Sequence, residues 1–289
     1  MREVGGMTRG ALAPRVRVLA AADLAEVRAL LHADPVTDCV VASRIEAVGL
    51  DSWRLGAEVW GHEVDGRLVA LCYAGANIWP VHVDAASAAA FANRARRQGR
   101  RCASMVGPAD AVLELWRLLE PSWGPARDVR PNQPLLVIDR EPAVAPDAGV
   151  RQVRPDELDI VLPACIAMHT EEIGVPPDVG DGRALYRARV ADLIKAGRCF
   201  ARIEGGRVLF KAEVGAATAA ACQVQGVWVA PELRGSGLGT AGTAAVVVAA
   251  RARHAPVVSL YVNAYNTVAR KAYARVGFEQ MGIFASILF

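Results

Sequence analysis

The feature that most restricts this 289-residue chain is an internal repeat. VRVLAAADLAEVRALL, starting at Val16, returns as VRQVRPDELDIVLPACIAM from Val150, and HEVDGRLVALCYAG from His62 returns as FARIEGGRVLFKAEVG from Phe200. The turn residues Gly206 and Arg207 fall where Gly66 and Arg67 fell, and PLLVI near Leu135 is matched by ASILF at the end. An offset of roughly 140 residues implies two copies of one supersecondary plan. In the first copy Leu24, Val27, Leu30 and Leu31 recur at helical spacing, strands with a hairpin turn at Asp65 and Gly66 follow, and helices are expected from Ala85 and from Asp110. In the second, Leu158, Val161, Leu162, Cys165 and Ile166 form the apolar face of the first helix, and another helix spans Ala184 to Lys195.

Each half is long enough to bury its own core. The expected organisation is a leader over 1–15 without structure, a first domain over 16–140, a Pro-rich linker over 141–149 (within REPAVAPDAG) and a second domain over 150–289. A net charge of +3 argues against general nucleic-acid binding. The cluster Arg94, Arg96, Arg97, Arg100 and Arg101 has no interleaved aromatics and reads as a solvated helix end. Six cysteines without CxxC pairing read as reduced core thiols, and His62-Glu63 lacks the second histidine of HExxH, so no metal is expected. The amino terminus lacks a signal-peptide core and no apolar run approaches membrane-spanning length. The expectation is therefore a cytoplasmic protein, monomer or homodimer, with neither nucleic acid nor membrane as partner.

The copies differ at one place. The second carries VWVAPELRGSGLGT from Val227, where a strand ends, Arg234, Gly235, Gly237 and Gly239 follow, and a small-residue helix begins. A glycine loop at a helix start presents unpaired N–H groups together with the positive end of the helix dipole, which binds anions, phosphates above all. A P-loop is excluded because no lysine lies near. A dinucleotide fingerprint is excluded because the third glycine comes one place early and no acid follows. The first copy has VHVDAASAAA at this point, with neither glycine nor arginine to hold a pyrophosphate.

RxxGxG at Arg234, Gly237 and Gly239, behind a strand ending in VxVxPxxRG, resembles motif A of the GNAT N-acetyltransferases. SLYVNAYNTVARKAYARVGF supplies a second match, the family's NxxAxxxYxxxGF at Asn266, Ala269, Tyr273, Gly277 and Phe278. The resemblance covers roughly Val150 to Phe289. It implies an α/β fold of two tandem GNAT-like domains, each a mixed, mostly antiparallel sheet flanked by helices, with the first copy degenerate at its cofactor site. The layout is similar to that of paired-domain members such as mycothiol synthase. It is more similar to actinobacterial GNAT proteins whose amino-terminal half is a domain of unknown function.

The resemblance further implies acetyl-CoA as acyl donor and an amine as acceptor. The donor would lie on Val227, Trp228, Val229, Arg234, Gly235, Ser236, Gly237, Leu238, Gly239, Thr240 and Asn266. Tyr273 stands where the family places the acid that meets the departing sulfur; the alternative is a core aromatic. The usual strand glutamate is replaced by Gln223, with Gln225 beside it. Glu213 is the nearest alternative base, because a carboxylate in an apolar strand tends toward a raised pKa; the alternative is a carboxylate at a strand edge or paired with an arginine. Glu171 and Glu172 fall where the family lines its acceptor site and could hold a cationic amine or merely solvate a loop. Two functions stay open: an N-acetyltransferase, or a catalytically weak acyl-CoA-binding sensor or interaction protein.

Overall fold

The computed structural model describes residues 15–180 and 182–289, so the expected leader falls almost wholly outside the described residues. The chain forms two compact units, each a mixed α/β structure. The first comprises the described residues up to Ala33, Val48–Pro131 and Ala285–Phe289; the second comprises Asp34–Ala47 and Asn132–Phe284.

In the first unit β1 (Arg15–Val18), β2 (Ala57–Val64), β3 (Arg67–Gly75) and β4 (Asn77–Val81) pair antiparallel in order, and β5 (Ser104–Pro108) pairs parallel with β4. The expected hairpin turn joins β2 and β3, with Asp65 and Gly66 both at positive φ, as a tight primed turn requires. Helix α1 (Leu24–Leu31) buries Val27 and Leu31. After the single-turn α3 (Ser52–Leu55) come α4 (Ala85–Gln98) and α5 (Ala109–Trp123), which bury Phe91, Val112, Leu115 and Leu119 against Trp60, Cys72 and Met105.

In the second unit β6 (Asp128–Ile138), from its residue Asn132 onward, pairs antiparallel with β11 (Val257–Tyr261), and β11 pairs parallel with β10 (Ala221–Val229). Beyond these, β9 (Arg207–Ala217), β8 (Cys199–Glu204) and β7 (Val150–Gln152) continue antiparallel. Helix α8 (Leu238–Arg253) and α9 (Thr267–Val276) cover one side, packing Val246, Val247 and Tyr273 on Phe210, Val224 and Val258. Helices α6 (Leu158–Ile173) and α7 (Gly182–Lys195) bury Val161, Cys165 and Val190 in a separate cluster with Cys199 and Ala201.

Sequence order and unit boundaries differ in two ways. The strands read as the two matching closing strands are exchanged: PLLVI belongs to the second unit and pairs with β11, whereas the end of β12 (Glu279–Leu288) belongs to the first, where Leu288 O accepts from Arg127 N. Most of α2 (Cys39–Val48) belongs to the second unit, where Cys39 Sγ meets Ala221 O at 3.2 Å and Ser43 Oγ accepts from Ala217 N at 3.2 Å. The segment expected to be a linker is instead tied down within the second unit. Ala143 N donates to Val276 O and Asp147 N to Ala241 O, while Asp147 accepts from Arg202 at 2.9 Å.

Candidate active site

The site arises where two parallel strands part. Among the described residues β10 pairs with β11 only at Ala221, Cys222 and Gln223, so from Val224 to Val229 it has no ladder partner there on that side. On its other side the register with β9 breaks between Gln225 and Trp228, a bulge that takes Gly226 and Val227 out of the ladder. Gly226 has φ +60, and a Cβ there would stand 3.2 Å from Lys211 Nζ and 3.0 Å from Met168 Cε. The bulge therefore interrupts the ladder beside the gap and brings β10 against a buried lysine.

The strand runs straight into the glycine loop. Gly237, at φ +92, is the N-cap of α8, and no side chain among the described residues caps that helix. Among the described residues nothing stands within 4 Å of a Cβ built on Gly235 or Gly237, so the loop is open to a ligand. Thr240 N is turned back onto Gly237 O and Ser236 Oγ onto Leu233 O, which leaves Leu238 and Gly239 among the orphan donors of the helix start. An anion fits this cradle. The corresponding helix start in the first unit is closed: Asp84 caps α4 by accepting from Ser87 N at 2.8 Å, and this bond holds its carboxyl below the ordinary value. A fixed negative charge there opposes a phosphate.

Arg234 is paired. Its guanidinium donates to Val229 O at 3.1 Å and to both oxygens of Glu171, at 2.8 and 3.0 Å, and Trp228 Nε1 donates to the same carboxylate at 3.2 Å. Glu171 therefore lies at the cofactor loop, engaged by an arginine, rather than free for an amine. Glu172 is exposed next to it at the end of α6, and its charge reaches Tyr273. Asn266 caps α9, its Oδ1 accepting from Ala269 N at 3.1 Å.

Glu213 requires a correction. Its carboxylate is buried, and burial alone would raise its pKa as the sequence suggested; the charge and hydrogen bond of Lys211, helped by Arg189 and Gln225, bring it below the ordinary value instead. Lys211 is fully buried, and the opposing carboxylate outweighs desolvation to hold it protonated. Cys165 Sγ completes the cluster, 3.5 Å from Lys211 Nζ and 3.7 Å from Glu213 Oε1, and burial pushes its thiol up to about 11. Glu213 is thus a satisfied half of an ion pair, and Cys165 is a neutral thiol, not a nucleophile.

One side chain escaped the sequence reading. His169, one residue past the Met168 that touches the bulge, stacks edgewise on Tyr186 at 5.5 Å. Burial, then Arg189, lowers its pKa below the usual imidazole value, so the ring is neutral near pH 7. The available signal was the helical register: His169 lies four residues after Cys165 on α6. Tyr273, from α9, is only 8% exposed, and its ring meets Phe278 edge-on at 5.9 Å. Burial and Glu172 push its pKa up, so the hydroxyl stays protonated throughout the neutral range.

Residues 182–278 match the acetyltransferase (GNAT) family, and residues 57–161 match a domain of unknown function, DUF4081. No curated protein matches the chain. Among solved structures, a GNAT-family acetyltransferase from Colwellia psychrerythraea is 15% identical, with a TM-score of 0.55 over 95% of this chain and 99% of that one. A GCN5-related N-acetyltransferase from Sphaerobacter thermophilus is 18% identical, with a TM-score of 0.57 over 95% of both chains. A tandem GNAT protein of the clavulanic acid biosynthesis pathway is 15% identical, with a TM-score of 0.55 over 95% of this chain and 98% of that one. These likenesses are likenesses of fold. Among the described residues no helix is long and apolar enough to cross a membrane, and no group of three or more His, Cys, Asp or Glu is placed to hold a metal.

Proposed function

We propose that this chain, whose residues 182–278 form a GNAT acetyltransferase domain, is an acetyl-CoA-dependent N-acetyltransferase acting on a primary amine of a small molecule or peptide. The observation that carries the reading is the conjunction at β10: the strand parts from β11, bulges at Gly226 and delivers its end to an uncapped helix start with Arg234 beside it. The pyrophosphate of the donor occupies the loop from Arg234 to Thr240, and amides of the Val227 to Val229 segment polarise the acetyl carbonyl. Because Asp84 closes the equivalent helix start in the first unit, one donor binds per chain.

The acceptor must lose a proton before its nitrogen attacks the carbonyl carbon, and the leaving thiolate must gain one. His169 is the base in this reading, since its neutral imidazole is ready to accept. Tyr273 is the acid, starting from the protonated form. The ammonium proton goes to His169 and frees the nitrogen to attack; the carbon–sulfur bond breaks as the carbon–nitrogen bond forms, the phenol proton going to sulfur, and the second proton shed by the nitrogen returns through solvent to the Tyr273 phenolate. Glu172 attracts the ammonium form of the acceptor, and Glu171 joins it once pyrophosphate has taken its place on Arg234. Six buried free cysteines fit a reducing cytoplasmic setting.

The competing reading, an acyl-CoA sensor that catalyses little, draws on Gln223 in place of a strand glutamate and on the neutralised Glu213. Incubating the purified protein with acetyl-CoA and a panel of amines and peptides, and reading free CoA against a no-acceptor control, separates the two. Tight acetyl-CoA binding without acceptor-dependent CoA release would sink the enzyme reading.

A further inference from the structure

The first unit carries a cavity of about 420 Å³ that nothing in acetyl transfer uses. It opens at the start of β2 and β4, the end of β3 and the carboxy-terminal ends of α4 and α5. The loop between β4 and α4, where a cofactor loop would stand, is at the other end of those two elements, so the cavity is not a remnant of a cofactor site. Its size is that of a small-molecule pocket.

The walls are mixed, with a larger apolar share. Trp60, Ile78 and Trp123 line it together with small residues of the strand ends. Against this surface stand two charges of opposite sign. Glu58 is held in one orientation through a single oxygen: Oε2 accepts from Trp60 Nε1 at 2.6 Å, Gln98 Nε2 at 3.1 Å and Arg94 at 3.2 Å. The hydrogen bond from Trp60 leads the effects that lower the carboxyl pKa, so the group is ionised at neutral pH. Arg94 also lies over the Trp60 ring, 5.1 Å from its centroid, clamping the indole. These contacts correct the reading of the arginine cluster as a merely solvated helix end. Arg101, from the same cluster, lines the cavity from an exposed position and forms no ion pair among the described residues. Trp123 adds an indole N–H that is buried and finds no acceptor among the described residues, which is uncommon for a buried donor.

We propose that this cavity binds a small zwitterion of the amino-acid type with an apolar side chain, its ammonium on Glu58 Oε1, its carboxylate on Arg101 and its side chain between Trp60 and Trp123. Neither charge alone accounts for the arrangement. A simple amine would leave Arg101 facing it unpaired, and a simple carboxylate would meet Glu58. A zwitterion satisfies both and buries its side chain against the indoles.

This inference does not depend on the acetyltransferase reading. The test is calorimetry on the full chain, without acetyl-CoA, using L-phenylalanine as probe beside phenethylamine, which lacks the carboxylate, and hydrocinnamic acid, which lacks the ammonium. L-phenylalanine should bind at least about tenfold more tightly than either analogue, the scale of one charge-assisted hydrogen bond. Glu58→Gln and Arg101→Gln should each weaken it by about the same factor, while Glu172→Gln, at the acceptor site, should leave it unchanged. Because Glu58 also holds Trp60 and Gln98, Ala74→Leu serves as a second variant, narrowing the cavity with both charges intact; it should abolish binding. Equal affinity for the three probes, binding that survives Glu58→Gln and Arg101→Gln, binding lost in Glu172→Gln, or no binding by L-phenylalanine, L-leucine or L-tryptophan would each overturn the proposal.

Discussion

Glu171 and Arg234 form an ion pair in which both carboxylate oxygens lie within 3.0 Å of one guanidinium nitrogen, so the arginine expected to meet pyrophosphate begins on a carboxylate from α6. Donor binding and the freeing of Glu171 are then one event. Under the proposed function the acetyl donor should therefore bind first and complete the acceptor site.

Removing the competitor should help the donor. Both partners are 47% exposed, so the pair contributes little on its own. Glu171→Gln should tighten acetyl-CoA binding by about two- to fivefold, while Arg234→Gln, which removes the pyrophosphate's partner, should weaken it by at least about tenfold. Calorimetry at fixed ionic strength measures both. If Glu171→Gln weakened acetyl-CoA binding, the carboxylate would be supporting the loop rather than occupying it.

Lys211 and Glu213 are a structural pair, and breaking one side should show it. Lys211→Met leaves a buried carboxylate without its cation and should cost about 3–5 kcal/mol in denaturant unfolding, whereas Lys211→Met with Glu213→Leu should recover most of that. A double variant that folds stably but has lost all turnover would return Glu213 to the chemistry.

Why the raised pKa expected of Glu213 fails while the fold was legible has a physical cause. The repeat, the glycine loop and the strand and helix periodicities are local patterns, and α4, α8 and the hairpin at Asp65 and Gly66 stand where those patterns place them. The partnership of Lys211 with Glu213 was also local, two residues apart on one strand face, but its outcome depends on both groups being buried together. His169 becomes relevant only because the bulge at Gly226 brings β10 against α6, a tertiary fact. The exchange of PLLVI and ASILF between units is likewise invisible to pattern, since either strand suits either edge.

His169 sets an expectation for pH. Its pKa is lowered by burial, so it remains a free base until the pH falls below the ordinary imidazole range, and kcat/KM should drop only on that acidic side. His169→Gln should lower kcat/KM by about 10²-fold and remove the acidic limb, leaving the rise at high pH that reflects the acceptor's own deprotonation. An unchanged acidic limb in His169→Gln assigns it to another group.

Tyr273 sits in the core and at the proposed acid position together, so its ring and its hydroxyl must be tested apart. Tyr273→Phe keeps the edgewise contact with Phe278 and the packing against α8 while deleting only the oxygen. If the hydroxyl protonates the leaving sulfur, acetyl-CoA affinity and melting temperature should hold while kcat falls by about 10²-fold. The loss should shrink with a thioester whose leaving thiol is more acidic, because a better leaving group needs less help from an acid. Tyr273→Ala, by contrast, should destabilise the domain by about 3–5 kcal/mol through the cavity it opens. A Tyr273→Phe variant with full turnover on both thioesters would reduce Tyr273 to a core aromatic and leave the thiolate to be protonated by water.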